Sequence, residues 1–172
     1  MVEVAYDVGD WSEFAVAHVG ASAALLGLIV VALTINLRDV IASSVLVNRA
    51  AEAVVLLGGV LATSTVVLIP GQARRALSVE LIVLGLGIFA GIYFLQRGAA
   101  AQVVDPGKPG PPRGSLTFRR ATGLGAPLLF AITGLTLAAT TGGGLYWWPP
   151  GVLVSYAGAL FNAWILLIEI LR

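Results

Sequence analysis

The chain has 172 residues, of which 58% are hydrophobic and only 11% are charged, and its mean hydropathy is +0.95. Globular chains carry roughly 25% charged residues, and a protein this small cannot hide so much apolar surface from water, so the composition predicts a protein embedded in lipid. The net charge of +1 and the lack of a basic stripe exclude a nucleic-acid partner, and the absence of cysteine excludes disulfides and thiolate metal sites.

Five apolar segments follow an acidic N-terminal tail, and each is close to the ~20 residues that cross ~30 Å of hydrocarbon. We predict transmembrane helices at about 12–37, 50–69, 79–96, 119–141 and 150–171. Residues 97–118 contain the run D-P-G-K-P-G-P-P-R-G, which predicts a linker without a core of its own. The sequence therefore predicts an all-α integral membrane protein, a single domain built as a bundle of five transmembrane helices.

The basic residues are divided unequally between the two sides of the predicted bundle. If the N-terminus is outside, eight basic residues lie on the cytoplasmic side and two lie outside. Positive charge is retained on the cytoplasmic side of membrane proteins, so we predict a plasma-membrane protein with its N-terminus outside and its C-terminus in the cytoplasm. The cytoplasmic residues are Arg38, Arg49, Arg97, Lys108, Arg113, Arg119, Arg120 and Arg172, and the outer ones are Arg74 and Arg75.

The first apolar segment carries a stripe with polar ends and an apolar middle. His18 and Asn36 are separated by a whole number of helical turns, so they share one face with Ser22, Leu25 and Ile29. In one interpretation this face lines a pore with a hydrophobic constriction. In the other, which we favour, His18 and Ser22 form hydrogen bonds with a neighbouring helix and Asn36 caps the inner helix end.

A second set of polar residues is predicted at the cytoplasmic ends of the helices. Ionisable groups within membrane spans are costly and need partners. These residues either form an ion-pair cluster that joins the first, second and fifth helices, or they line a vestibule that handles ions or protons. The set comprises Asn36, Arg38, Arg49, Glu52, Asn162 and Glu169, with Arg119 and Arg120 as further candidates.

Small residues at a spacing of four predict faces where transmembrane helices approach closely. The pairs in this chain are Gly20/Ala24, Ala23/Gly27, Gly58/Ala62, Gly87/Gly91 and Gly134/Ala138.

Catalytic and cofactor motifs are missing from the sequence. There is no H-E-x-x-H, no G-x-S-x-G and no Walker loop. We therefore predict a protein that is not an enzyme and that holds no metal and no cofactor.

Three stretches carry a family resemblance: A-L-T-I-N-L-R (32–38), N-R-A-A-E (48–52) and N-A-W-I-L-L-I-E-I-L-R (162–172). Together they resemble a group of small actinobacterial multi-pass membrane proteins of unknown function, some of which are described as modulators of the FtsH protease. The resemblance lies mainly at the predicted cytoplasmic helix ends and implies no established activity.

Two functions follow from these observations, and both stay open at this point. The first is a small homo-oligomeric channel or pore-like protein in which the first helix lines the pore. The second is an accessory or regulatory protein that binds another membrane protein, such as a membrane protease. The expected partners are the lipid bilayer, further copies of the chain and a membrane protein.

Overall fold

The computed structural model describes residues 4–102 and 113–170, and every regular element in these ranges is helical. Five of the helices are long and apolar enough to cross a membrane, which confirms the predicted all-helical class and the five apolar segments. The helices are α1 Ser12–Ile35, α2 Leu37–Ile41, α3 Ser44–Val67, α4 Arg74–Gln102, α5 Arg113–Ala139 and α6 Trp148–Ile170. Short 3₁₀ turns at Gly9–Trp11 and Gly144–Trp147 precede α1 and α6.

The helix bounds differ from the predicted ones mainly at the polar ends. Helix α3 begins at Ser44 rather than at 50, α4 covers Arg74–Gln102 rather than 79–96, and α5 begins at Arg113 rather than at 119. Hydropathy detects only the lipid-sized part of a helix, whereas alanine, arginine and glutamine continue it beyond that part. The predicted linker at 97–118 is therefore too long, because both of its ends belong to helices.

Helices α3, α4, α5 and α6 form a four-helix bundle in which each packs on the next and α6 returns to α3. Helix α1 packs along α3 from outside this bundle. Only 11% of the apolar stretch of Gly9–Ile35 is buried, compared with 56% of that of Ser44–Val67. Helix α3 is thus central to the fold, and α1 is peripheral.

Two glycines allow the backbones of α4 and α5 to approach closely. A Cβ atom on Gly85 would lie 2.6 Å from the backbone nitrogen of Ala131, and one on Gly134 would lie 2.6 Å from the carbonyl oxygen of Ser78. Backbone atoms cannot move aside, so neither position has room for a side chain. Gly134 belongs to a predicted small-residue pair, whereas Gly85 does not. By contrast, such a Cβ would have nothing within 4 Å at Gly20, Gly27, Gly58, Gly87 and Gly91.

The bundle end formed by the starts of α1, α4 and α6 is rich in aromatic side chains, and we call it the aromatic end. Trp148 is fully buried, and its ring packs edge-on against Phe14, with centroids 5.0 Å apart. The ring of Trp11 lies 6.4 Å from that of Trp148 and donates a hydrogen bond of 2.9 Å to the carbonyl of Val4. Packed rings therefore form the core of this end.

A buried polar cluster at the arginine-rich end

The opposite end of the bundle, where Arg49, Arg97, Arg119 and Arg120 lie, is the arginine-rich end. Helices α3 and α5 begin there, and α4 and α6 end there. Glu52 is two turns into α3, which places its Cα about 12 Å along the helix from Ser44 at 1.5 Å per residue. A set of buried or half-buried polar side chains, the polar cluster, gathers at this depth. Its members are Arg49, Glu52, Gln96, Arg119 and Asn162.

Glu52 is the centre of the polar cluster. Its side chain has 0% exposure, and its Oε2 accepts a hydrogen bond of 2.5 Å from Nε of Arg119, which is itself 93% buried. Its Oε1 accepts a hydrogen bond from Nε2 of Gln96. A buried carboxylate is tolerated only when it is paired and hydrogen-bonded. One carboxylate thus joins α3 to both α4 and α5.

A second polar contact joins α3 to α6. Nη1 of Arg49 donates a hydrogen bond of 3.3 Å to Oδ1 of Asn162, and both side chains are buried. With the Glu52 contacts, the polar cluster therefore connects all four helices of the bundle.

A glycine on α5 makes room for this arrangement. A Cβ atom on Gly123 would lie 2.5 Å from Nε2 of Gln96 and 2.7 Å from Oε1 of Glu52. Both atoms are held by hydrogen bonds, so they could yield only by breaking them. Gly123 is therefore part of the cluster although it contributes no side chain.

The geometry of Glu52 favours the ion-pair cluster over an ion vestibule. Both carboxylate oxygens have donors from the chain, and the side chain presents no surface to solvent. Nη2 of Arg119 is also buried, and among the described residues it has no hydrogen-bond partner. Donors on α4 and α5 thus engage both oxygens of this carboxylate, as the ion-pair cluster requires.

The structure brings some of the predicted polar residues together and separates others. Arg49, Glu52 and Asn162 meet as described, and Arg119 joins them. Asn36 leaves α1 with φ −108° and ψ 24°, and its amide donates to the carbonyl of Ala32 in the same helix. Helix α2 then carries Arg38 to an exposed position, where it forms no ion pair within the described part of the chain. The side chain of Glu169 lies outside the described residues.

Gln96 was missed by the sequence analysis. Its signal was available, because it is a lone amide at the end of the apolar run G-I-Y-F-L-Q. An amide at that depth needs a partner in the same way as the predicted Asn162.

The predicted pore-lining stripe of α1 faces the bundle of its own chain. Nδ1 of His18 lies 3.0 Å from Oη of Tyr156, and Ser22 is fully buried and donates to the carbonyl of His18. Leu25 and Ile29 pack against a core cluster to which α3, α4, α5 and α6 all contribute. A pore lined by this stripe would require α1 to leave the bundle or rotate about its axis.

Comparisons with protein-family models, with curated proteins and with solved structures find no match to this chain.

Proposed function

We propose that this chain is a non-enzymatic, multi-pass protein of the plasma membrane that acts by binding another membrane protein through α1. The observation that carries the proposal is the peripheral position of α1, whose outer face is left uncovered by the described residues of the chain. Large apolar side chains such as Leu28, Val31 and Ile35 are exposed there. They follow Gly20 and Gly27 along the helix, and a Cβ atom on either glycine would meet nothing within 4 Å.

The outer face of α1 has the chemistry that transmembrane helices use to associate. Lipid tails are as apolar as leucine, so helix pairs in a membrane are held by close backbone packing at small residues. Gly20, Ala24 and Gly27 recur every three or four residues and share one face of α1. This face can therefore receive a helix from another protein.

The open face of α4 is less suited to such a contact. It also contains glycine, at Gly87 and Gly91, but the exposed side chains of Leu86, Tyr93 and Phe94 stand beside them. In α1, by contrast, the exposed residues between Gly20 and Gly27 are all alanines, so a neighbouring helix can approach more closely there. We therefore place the binding face on α1.

The membrane, the orientation and the class of partner are part of the same proposal. The eight-against-two distribution of basic residues supports an outer N-terminus and a cytoplasmic arginine-rich end. The resemblance to proteins described as FtsH modulators supports a membrane protease as the partner. The chain contains no cysteine, so single cysteines placed at Asp7 and at Arg97 can report the orientation. A membrane-impermeant thiol reagent added to intact cells is expected to label only the cysteine at position 7.

The binding face is tested by cross-linking in native membranes. A cysteine in place of Ala24 is expected to cross-link to a defined membrane protein, whereas one in place of Gly87 is not. Gly20→Ile/Gly27→Ile should lower co-purification of that protein at least tenfold, and Gly87→Ile is the matched control because it also fills open space. Equal co-purification of the partner with the two variants, or cross-links from a cysteine at position 87 only, would overturn the proposal.

The homo-oligomeric channel stays a separate prediction with its own readout. Self-association would give a cross-linked product of two copies of this chain from position 24. A channel lined by α1 would give ion flux in reconstituted vesicles that changes with Leu25→Ser/Ile29→Ser. Those two results together would favour the channel over an accessory role.

A further inference from the structure

An open cleft of about 1090 Å³ lies at the aromatic end. One wall is the N-terminal segment, which contributes Asp7 and Ser12. The other wall is the turn between α3 and α4, which contributes Leu68, Ile69 and Arg74. The cleft thus combines an apolar wall with charged groups at its rim.

The N-terminal wall of the cleft is held in place from behind. The backbone amide of Leu145 donates a hydrogen bond of 2.9 Å to the carbonyl of Ala5, and the amide of Gly143 donates one of 3.2 Å to the hydroxyl of Tyr6. These bonds fix the segment to the turn between α5 and α6. Hydrogen bonds within the fold therefore fix the position of this wall of the cleft.

The two walls of the cleft carry opposite charges. Asp7 and Arg74 are both exposed, and neither forms an ion pair within the described residues. Oδ1 of Asp7 accepts a hydrogen bond of 2.9 Å from the amide of Gly9, which orients the carboxylate and leaves Oδ2 available. An unpaired anion and an unpaired cation that line one cleft are complementary to a ligand that carries both charges.

One strip of α3 is left uncovered by its neighbours, and we call it the groove; it begins at Thr65, three residues before Leu68 of the cleft, and runs towards the middle of the bundle. Helices α1 and α4 pack on α3 from two sides and hardly contact each other. Between them Val54, Gly58, Leu61 and Thr65 recur every three or four residues on one face of α3, and none of the four is buried. A Cβ atom on Gly58 would meet nothing within 4 Å, so the floor of the groove is open at its centre. A charged cleft above an apolar groove has the form of a lipid site.

We propose that the cleft and the groove together bind one phospholipid with a zwitterionic, amine-bearing headgroup. The guanidinium of Arg74 binds the phosphate, and the carboxylate of Asp7 binds the ammonium group, both through charge-assisted hydrogen bonds. An acyl chain lies over Gly58 in the groove between α1 and α4. This binding site is separate from the outer face of α1 and does not depend on a protein partner.

The headgroup part is tested on the purified full-length chain by native mass spectrometry with phosphatidylethanolamine and phosphatidylglycerol. Retention of phosphatidylethanolamine is expected to exceed that of phosphatidylglycerol, which has no ammonium group, by about fivefold to tenfold. Arg74→Gln should weaken both lipids, and Asp7→Asn should remove the difference between them. Arg75→Gln and Asp10→Asn are matched controls, because these neighbouring charges do not line the cleft. Equal retention of the two lipids, or equal effects of Arg74→Gln and Arg75→Gln, would overturn the proposal.

The acyl-chain part is tested with a second pair of variants and a soluble headgroup. Gly58→Leu fills the groove and should weaken phosphatidylethanolamine about tenfold, whereas Gly87→Leu adds the same side chain to open space on α4 and should not. Both positions have room, so both variants are expected to fold. Free phosphoethanolamine should bind much more weakly than the lipid. If it binds as tightly as the lipid and Gly58→Leu has no effect, the ligand is a soluble zwitterion and the lipid proposal is wrong.

Discussion

The two ends of the bundle are held by different interactions. At the arginine-rich end, one carboxylate on α3 receives hydrogen bonds from Arg119 and Gln96 on two other helices. At the aromatic end, Trp148 packs among rings, and its indole lies 3.4 Å from the hydroxyl of Thr63. The first end therefore depends on a few specific atoms, whereas the second depends on a large contact area.

This difference determines how each end should respond to substitution. A buried charge that loses its partner keeps its full cost of desolvation, so a single change at the arginine-rich end has a large effect. Ring packing is a sum of many weak contacts, so a modest loss of volume has a modest effect. The following variants test this contrast.

The largest loss of stability is expected from Glu52→Gln. The substitution keeps the shape of the side chain but leaves the Arg119 guanidinium, which cannot lose its proton, buried without an anion. Breaking a buried ion pair costs about 3–5 kcal/mol, measured as the free energy of unfolding in mixed micelles. Glu13→Gln, at an exposed position on α1, is the control and should change stability by less than about 0.5 kcal/mol. Similar losses from the two variants would mean that the pair adds little to stability.

Gly123→Ala is expected to lower the free energy of unfolding by a smaller amount, because the new Cβ would clash with Gln96 and Glu52. Overpacking of this kind costs about 1–3 kcal/mol. Gly125→Ala is the matched control on the same helix, since its Cβ meets nothing within 4 Å. That variant should be neutral or more stable by up to about 1 kcal/mol, as alanine favours a helix over glycine. Thermal unfolding of both variants in the same detergent gives the comparison, and equal shifts would contradict the packing described here.

At the aromatic end, Trp148→Phe should lower the free energy of unfolding by about 1–2 kcal/mol, because the smaller ring loses contacts and leaves part of the space empty. Trp164→Phe is the control, because Trp164 is 63% exposed on the outer surface of α6. Unfolding monitored by circular dichroism should show a loss of stability for Trp148→Phe and none for Trp164→Phe. A loss at 148 as large as that of Glu52→Gln would remove the contrast between the two ends.

The smallest effect is expected from Ser64→Ala, and its sign is favourable. The Ser64 hydroxyl is fully buried, and it has no hydrogen-bond partner among the described residues. Removing an unpartnered buried polar group should leave stability unchanged or raise it by up to about 1 kcal/mol. A clear destabilisation in the same unfolding assay would show that the hydroxyl has a partner.

The sequence was sufficient to predict the five apolar helices, because lipid requires a certain length of apolar residues and little else has that composition. It was not sufficient to predict the ends of α4 and α5. Residues 74–78, 97–102 and 113–118 are more polar than the apolar runs that they extend, so hydropathy leaves them out of the predicted helices. Asn36 and Arg38 were predicted in the polar cluster, but they do not reach it. Helix α1 ends at Ile35, and the chain changes direction before these two residues could approach α3 and α6.

Part of the polar cluster was also predictable. Arg49, Glu52 and Asn162 stand out because polar groups in an apolar chain need partners, and the order of the helices places them at one end. The identity of each partner was not predictable, because it depends on helix rotation, which decides that Arg119 reaches Glu52. The same holds for the glycines: Gly134 and Gly87 have the same pattern in the sequence, but only Gly134 lies at a helix contact.

The central claim is that the Glu52–Arg119 pair holds the arginine-rich end together. A double-mutant cycle with Glu52→Gln, Arg119→Gln and the double variant measures it most directly, through the free energy of unfolding of each protein in the same micelles. We expect a coupling free energy of about 2 kcal/mol or more, with the double variant more stable than the sum of the single losses implies. Losses that add to within about 0.5 kcal/mol would show that the two side chains act independently and would contradict the claim.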